Sequence, residues 1–335
     1  MSGNRAPDGR HEEAMMSQNQ TVAEALRRRR ASGLVLSVAL ALTSASPWVG
    51  AAAAAQRTFS SPEQAAEALA AAWRSGGESQ LLAIFGPAAD KLVNSGDPIA
   101  EKDARERLAS SYDEAHRFEA EGAQETVIVL GHDEWPYPIP LVKQGANWRF
   151  DVKAGLEQII DRRIGRNELN AIEVCRAYVE AQREYAAKDP LHDGLHEYAQ
   201  RVASSEGKRD GLYWRASEGG EESPLGPLIV AAEAQGSRAA SAEGRAPFHG
   251  YFYRILTRQG QSAPGGAKDY LVKGRLTGGF ALVAFPATFG DSGVMTFIVS
   301  QDGIVFEKNL GPNTAALARR IAEYDPDTTW RVAQP

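Results

Sequence analysis

Cysteine is nearly missing from this chain. Cys175 stands alone among 335 residues, so no internal disulfide can staple the fold and stability has to come from apolar packing. A surplus of positive charge is missing too. Residues 1–55 hold six basic and four acidic residues, and removing them leaves 31 Lys+Arg against 39 Asp+Glu, a net charge of −8. A surface of that sign repels phosphate backbones, which excludes nucleic acid as a partner. Histidine is scarce, and none follows His249. Long apolar runs are confined to the N-terminus, where "LVLSVALALTSASPWVG" has an apolar core of about 15 residues, short of the roughly 18 expected of a spanning helix.

That N-terminal run has a different reading. Arg27 to Arg30 precede it and "AAAAAQ" follows. A basic stretch, a short apolar core and small residues form an export signal, with cleavage expected near Ala53 to Gln56. Residues 1–55 are therefore set aside as signal and leader, and the mature chain is expected to be periplasmic or secreted with no membrane span. Its roughly 280 residues are enough for two cores at ordinary domain sizes.

Helices dominate the first part of what remains. In "SSPEQAAEALAAAWRSGG", Ser61 is placed as N-cap with Pro62 at the first helical position, Ala65, Leu69, Ala72 and Trp73 form a stripe, and Gly76-Gly77 stop it. "IAEKDARERLASSYDEAHRFE" reads as a second, charged helix. Three strand-like runs follow, "ETVIVLG", "IPLVKQ" and "NWRFDV", the last two joined by a turn at Gly145 to Asn147. After "AGLEQIIDRRIG", the segment "RNELNAIEVCRAYVEAQREYAAKD" shows apolar residues three to four apart, from Leu169 through Cys175 to Tyr185, with Asn167 as its cap. Cys175 lies in that stripe and is expected to be buried and inert. Short helices are expected at "GLHEYAQRVASS" and "PLGPLIVAAEAQG". From residue 247 the pattern turns to strands, with a hairpin turn at Asp302-Gly303 and with Ile304 and Phe306 opposite in facing to Glu307. The fold class is α+β, in two domains at 56–163 and 164–335.

Helices, then a meander, then a helix is an order that resembles the NTF2-like cone, a fold that often encloses a ligand pocket. The second half is similar to pilin-like globular domains, in which a long helix packs on an antiparallel meander. It departs from them at Arg162 to Glu168, where pilins carry an apolar membrane-resident extension. The block "EYAQRVASSEGKRDGLYW…SPLGPL…FHGYFYRIL…GGFALVAFPATFGDSGVMTFIVSQDGIVFEKNLG" resembles the bacterial family catalogued as domain of unknown function 2950, DUF2950, over nearly the whole mature chain. That likeness implies localisation and architecture, and no chemistry.

Motifs that could carry chemistry are weighed on their geometry. "FGDSGVM" contains a Gly-Asp-Ser-Gly, but Val294-Met295 follow where trypsin-like proteases continue Gly-Pro, and helices fill the region where a first β-barrel is needed. Ser292 is read as part of a Gly-flanked turn. "LHDGLHEY" places His192 and His196 four apart, yet Gly194 lies between them and no glutamate sits where a metalloprotease needs it. Asp193 is read as a helix cap. "DEWPYPIPL" interleaves Trp135 and Tyr137 with three prolines, and "SSEGKRDGLYW" sets Tyr213 and Trp214 beside turns; packing explains both as well as recognition does.

No metal, cofactor or complete catalytic set is indicated. The sequence favours a non-catalytic interaction module of the cell envelope, with an envelope protein or a second copy as partner. The alternative is a small-ligand-binding protein or acid/base enzyme using a pocket in the N-terminal cone, near Trp73, Tyr112, His116, Trp135 and Trp148.

Overall fold

Why each segment adopts its structure is visible in a computed structural model that describes residues 56–94, 97–189, 192, 194–214, 222–234 and 247–334. The expected export signal at 1–55 and the cap at Asp193 lie outside the described residues. The chain divides into two compact units, the first ending at Ile159 and the second beginning at Ile160.

In the first unit, α1 (Pro62–Ser75) starts as the sequence predicts. The Ser61 side chain accepts from Gln64 N at 3.3 Å, and Gly76 ends the helix in a left-handed conformation at φ 67°. The short apolar piece after it is helix α2 (Glu78–Phe85), followed by α3 (Asp90–Val93) and α4 (Pro98–Glu114). The charged helix is shorter than its sequence suggests. "HRFEA" leaves it to become strand β1 (His116–Ala120), because all five residues pair with β2 (Glu125–Leu130). Together with β3 (Trp135–Pro136), β4 (Leu141–Gln144) and β5 (Asn147–Phe150) these form a five-stranded antiparallel sheet, ordered β1-β2-β4-β5 with β3 beside β2. Leu69, Trp73, Ile84, Phe85, Tyr112, Ile128, Leu130 and Phe150 fill the space between helices and sheet.

Helix α5 (Val152–Lys188) is continuous through the unit boundary, where the sequence suggests two helices. Asn167 is therefore inside it and not a cap. Within the second unit, Ile172, Cys175, Tyr178, Val179 and Tyr185 on this helix pack in the core of the C-terminal sheet, and Cys175 is fully buried. The expected helix at "GLHEYAQRVASS" is absent; its backbone groups are taken by tertiary partners instead of i−4 carbonyls. Buried Gln182 both donates to Ala199 O at 2.9 Å and accepts from Ala199 N at 2.8 Å. Tyr198 N bonds Leu276 O, and Tyr213 N bonds Val202 O.

After α6 (Gly226–Ala234) come β6 (Tyr251–Leu256), β7 (Arg258–Gln259), β8 (Lys268–Asp269), β9 (Leu271–Val272), β10 (Arg275–Leu276), β11 (Ala281–Pro286), β12 (Met295–Ser300), β13 (Val305–Asn309), α7 (Thr314–Arg320) and β14 (Arg331–Val332). The main sheet is antiparallel and ordered β14-β13-β12-β11-β6. Its register sets two neighbouring rows on opposite faces. One row runs Tyr253–Ala284–Phe297–Glu307–Arg331, and the other Arg254–Val283–Ile298–Phe306–Val332. The second row starts where Arg254 caps α7 by donating to Ala318 O at 3.0 Å and Ile321 O at 2.6 Å. The fold is α+β.

Candidate functional site

The first unit positions the five aromatic and histidine residues singled out in the sequence. Trp73 and Tyr112 are core residues, each 4% exposed. Trp73 meets Tyr137 edge-on at 5.4 Å, and Tyr137 in turn meets Trp135 at 6.2 Å. Tyr112 stacks on His116 with ring centroids 3.9 Å apart, and His116 Nδ1 lies 3.0 Å from Tyr112 O. His116 and Trp135 both pair with Leu130, one from each side, and so share a face. Those four residues form a connected set. Trp148 does not join it. It lies on β5 at the far edge of the sheet, bridged to Phe59, with Lys143 Nζ 5.9 Å from its ring centroid.

Charge around this set is organised by Arg74. Its guanidinium pairs with Asp113 and Glu67 and stands 5.8 Å from the Tyr112 ring centroid. Arg74 holds the Asp113 carboxyl below the usual range. Burial, reinforced by Glu67, pushes the Tyr112 hydroxyl up, so it remains protonated. What reaches solvent from the set is His116 and Trp135, the latter 37% exposed. A shallow depression of about 480 Å³ lies elsewhere, lined by Glu121, Ala123, Gln124, Glu125, Val142 and Lys143.

In the second unit the Gly-Asp-Ser-Gly segment is a turn with every residue engaged. Ser292 Oγ accepts from Thr288 N at 3.0 Å and donates to Thr288 O at 3.2 Å. Asp291 pairs with Arg163, whose Nε also donates to Asp291 O at 3.1 Å. Asn167 Nδ2 donates to Ser292 O at 2.9 Å, and Glu168 Oε1 accepts from both Val294 N and Met295 N at 2.8 and 2.9 Å. Arg163, Asn167 and Glu168 thus staple the turn to helix α5. The signal for this was a polar stretch interrupting an apolar helix face, and it has no meaning until its partner loop is known.

The histidine pair does not converge. His192 lies outside any helix at φ 54°, and His196 Nδ1 bonds Ala186 O at 2.7 Å. Among the described residues, no group of three or more His, Cys, Asp or Glu is placed to hold a metal.

Sequence reasoning passed over the end of the C-terminal sheet. Strand β14 is its outermost strand. Ala333 N points inward to Val305 O, so by alternation the N–H and C=O of Val332 point outward. Val332 is 58% exposed and Ile304 48%, on the same face as Phe306. The row that begins at Arg254 therefore runs out to exposed Val332, on the last strand of the sheet among the described residues.

Among the described residues no helix is long and apolar enough to cross a membrane. No curated protein and no solved structure matches the chain. The profile of a protein family of unknown function matches residues 56–333, nearly everything after the expected signal, and the chain belongs to that family, DUF2950.

Proposed function

We propose that this chain is a non-catalytic interaction module of the cell envelope, working through contacts with protein. The observation that carries the reading is the end of the C-terminal sheet, where Ile304 and Val332 stand exposed beside a strand edge that no other strand among the described residues pairs. Apolar side chains beside an open strand edge are how extended segments of other chains are held: main-chain bonds give affinity and alternate side chains give selectivity. The export signal read in the sequence supports the envelope as the location, and the long helix with its antiparallel sheet supports the pilin-like likeness. The test is cross-linking in the native envelope fraction, comparing the unaltered chain with Val332→Asp. A cross-linked protein product that disappears in the variant is expected. A chain that yields no protein adduct in either form overturns the reading.

A second reading, ligand binding in the N-terminal half, draws on one feature: His116 and Trp135 are exposed on a shared face backed by buried Tyr112, Tyr137 and Trp73. It predicts quenching of tryptophan fluorescence by a small ligand, lost in Trp135→Leu.

A further inference from the structure

We propose that the occupant of the β14 edge is a second copy of this chain, docked strand to strand about a two-fold axis through Val332. The proposal rests on the interaction reading above and names its partner. Three observations carry it.

The edge is self-complementary in one register. With Val332 opposite Val332 of the second copy, both side chains lie on the face that carries Ile304 and Phe306, and the two apolar rows join into one. The outward N–H and C=O of each Val332 then satisfy each other. Arg331 falls opposite Ala333. Centring the pair on residue 331 would set two arginines directly against each other, and that like-charge contact disfavours the register.

Charge is distributed to suit this surface. Between residues 56 and 159, 10 Lys+Arg stand against 17 Asp+Glu, a net −7. From 160 to 335 the count is 21 against 22, a net −1. Like copies repel through the first unit and are close to neutral through the second, where β14 lies.

The strand is also held lightly enough to present its outer side. It pairs with Phe306 and Glu307 and bonds through Ala333 N to Val305 O, the Arg331–Glu307 ion pair is 3.7 Å long with its arginine 74% exposed, and Lys308 reaches across to Thr329 Oγ1 and the Trp330 ring. Val332 itself is 58% exposed.

The test uses the full chain with Val332→Cys. Directly opposed residues in such a pair have Cα atoms about 5.5 Å apart, inside the 4.4–6.8 Å range a disulfide spans, whereas residues one position off the axis are about 9 Å apart and out of reach. Cys175 is fully buried, so the introduced thiol reports alone. Oxidation of Val332→Cys should give a covalent dimer, with Arg331→Cys giving at most about a tenth as much. Sedimentation velocity of the unaltered chain should show a concentration-dependent dimer that Val332→Asp abolishes. Equal cross-linking of both cysteine variants, or a monomer at every concentration, overturns the self-pairing. If self-pairing fails while envelope cross-linking still captures another protein in a Val332-dependent way, the interaction reading stands without it. If Val332→Asp changes nothing in either experiment, both fall.

Discussion

Gly293 lies against the hydroxyl of Tyr251, with no room between them for a Cβ atom. That hydroxyl donates to Met295 O at 2.9 Å and ties the start of β12 to β6. Gly293→Ala should therefore cost about 1–3 kcal/mol through overpacking, while Ser292→Ala, losing only the two exposed turn bonds to Thr288, should cost about 1 kcal/mol or less. Denaturant titration of the two variants separates them. An order reversed from this would mean that the serine, not the glycine, is what the turn depends on.

Glu168 gives one carboxylate oxygen to two backbone N–H groups. Glu168→Ala strands both and should cost about 2–3 kcal/mol, because bonds to a charged acceptor are the stronger kind. Glu168→Gln keeps an acceptor oxygen and should lose less than half of that. Amide exchange at Val294 and Met295 is the direct readout, accelerating in the alanine variant.

Glu307 has its carboxyl pushed above the ordinary value of 4.5, by burial first and then by Glu168, with Arg331 pulling the other way. A carboxyl raised in the folded state favours folding when protonated, and that contribution is lost as pH rises above the ordinary carboxyl range. Glu307→Gln should accordingly raise the melting temperature at neutral pH and give no gain in acid. Melting curves across that range check the sign. Stabilisation greater in acid than at neutral pH would overturn it.

Gln182 is fully buried and supplies both hydrogen-bond partners of Ala199, as well as a bond to the Tyr178 hydroxyl at 3.0 Å. Gln182→Leu should cost about 2–4 kcal/mol, since it leaves a buried N–H and C=O without partners. Protease cleavage within 194–205 should appear at lower protease concentration than in the unaltered chain.

Gln182 also marks where the sequence stopped being informative. Local signals were legible where local physics decides. The Ser61-Pro62 start, the Gly76 stop, the Gly145 and Asp302-Gly303 turns, and the serine turn at 292 all depend on residues within four positions of one another. What failed depends on partners far along the chain. "HRFEA" carries helical spacing but pairs with β2, and "GLHEYAQRVASS" reads as a helix but is held in an irregular path by Gln182 and by the bidentate Arg275–Glu197 pair at 2.9 and 3.0 Å. The site was less legible still. A tryptophan in a sequence looks the same whether it fills a core, as Trp73 does, or reaches the rim, as Trp135 does. The exposure of Val332 follows only from its being on the last strand of a sheet whose order the sequence does not state.

The lone thiol has a use that its burial creates. Burial pushes the Cys175 thiol up to about 12, so almost none of it is in the reactive thiolate form while the fold is closed. A thiol reagent can reach it only when helix α5 parts from the C-terminal sheet, and the labelling rate then counts openings of that core and nothing else. The chain carries its own clock for how often its second unit comes apart.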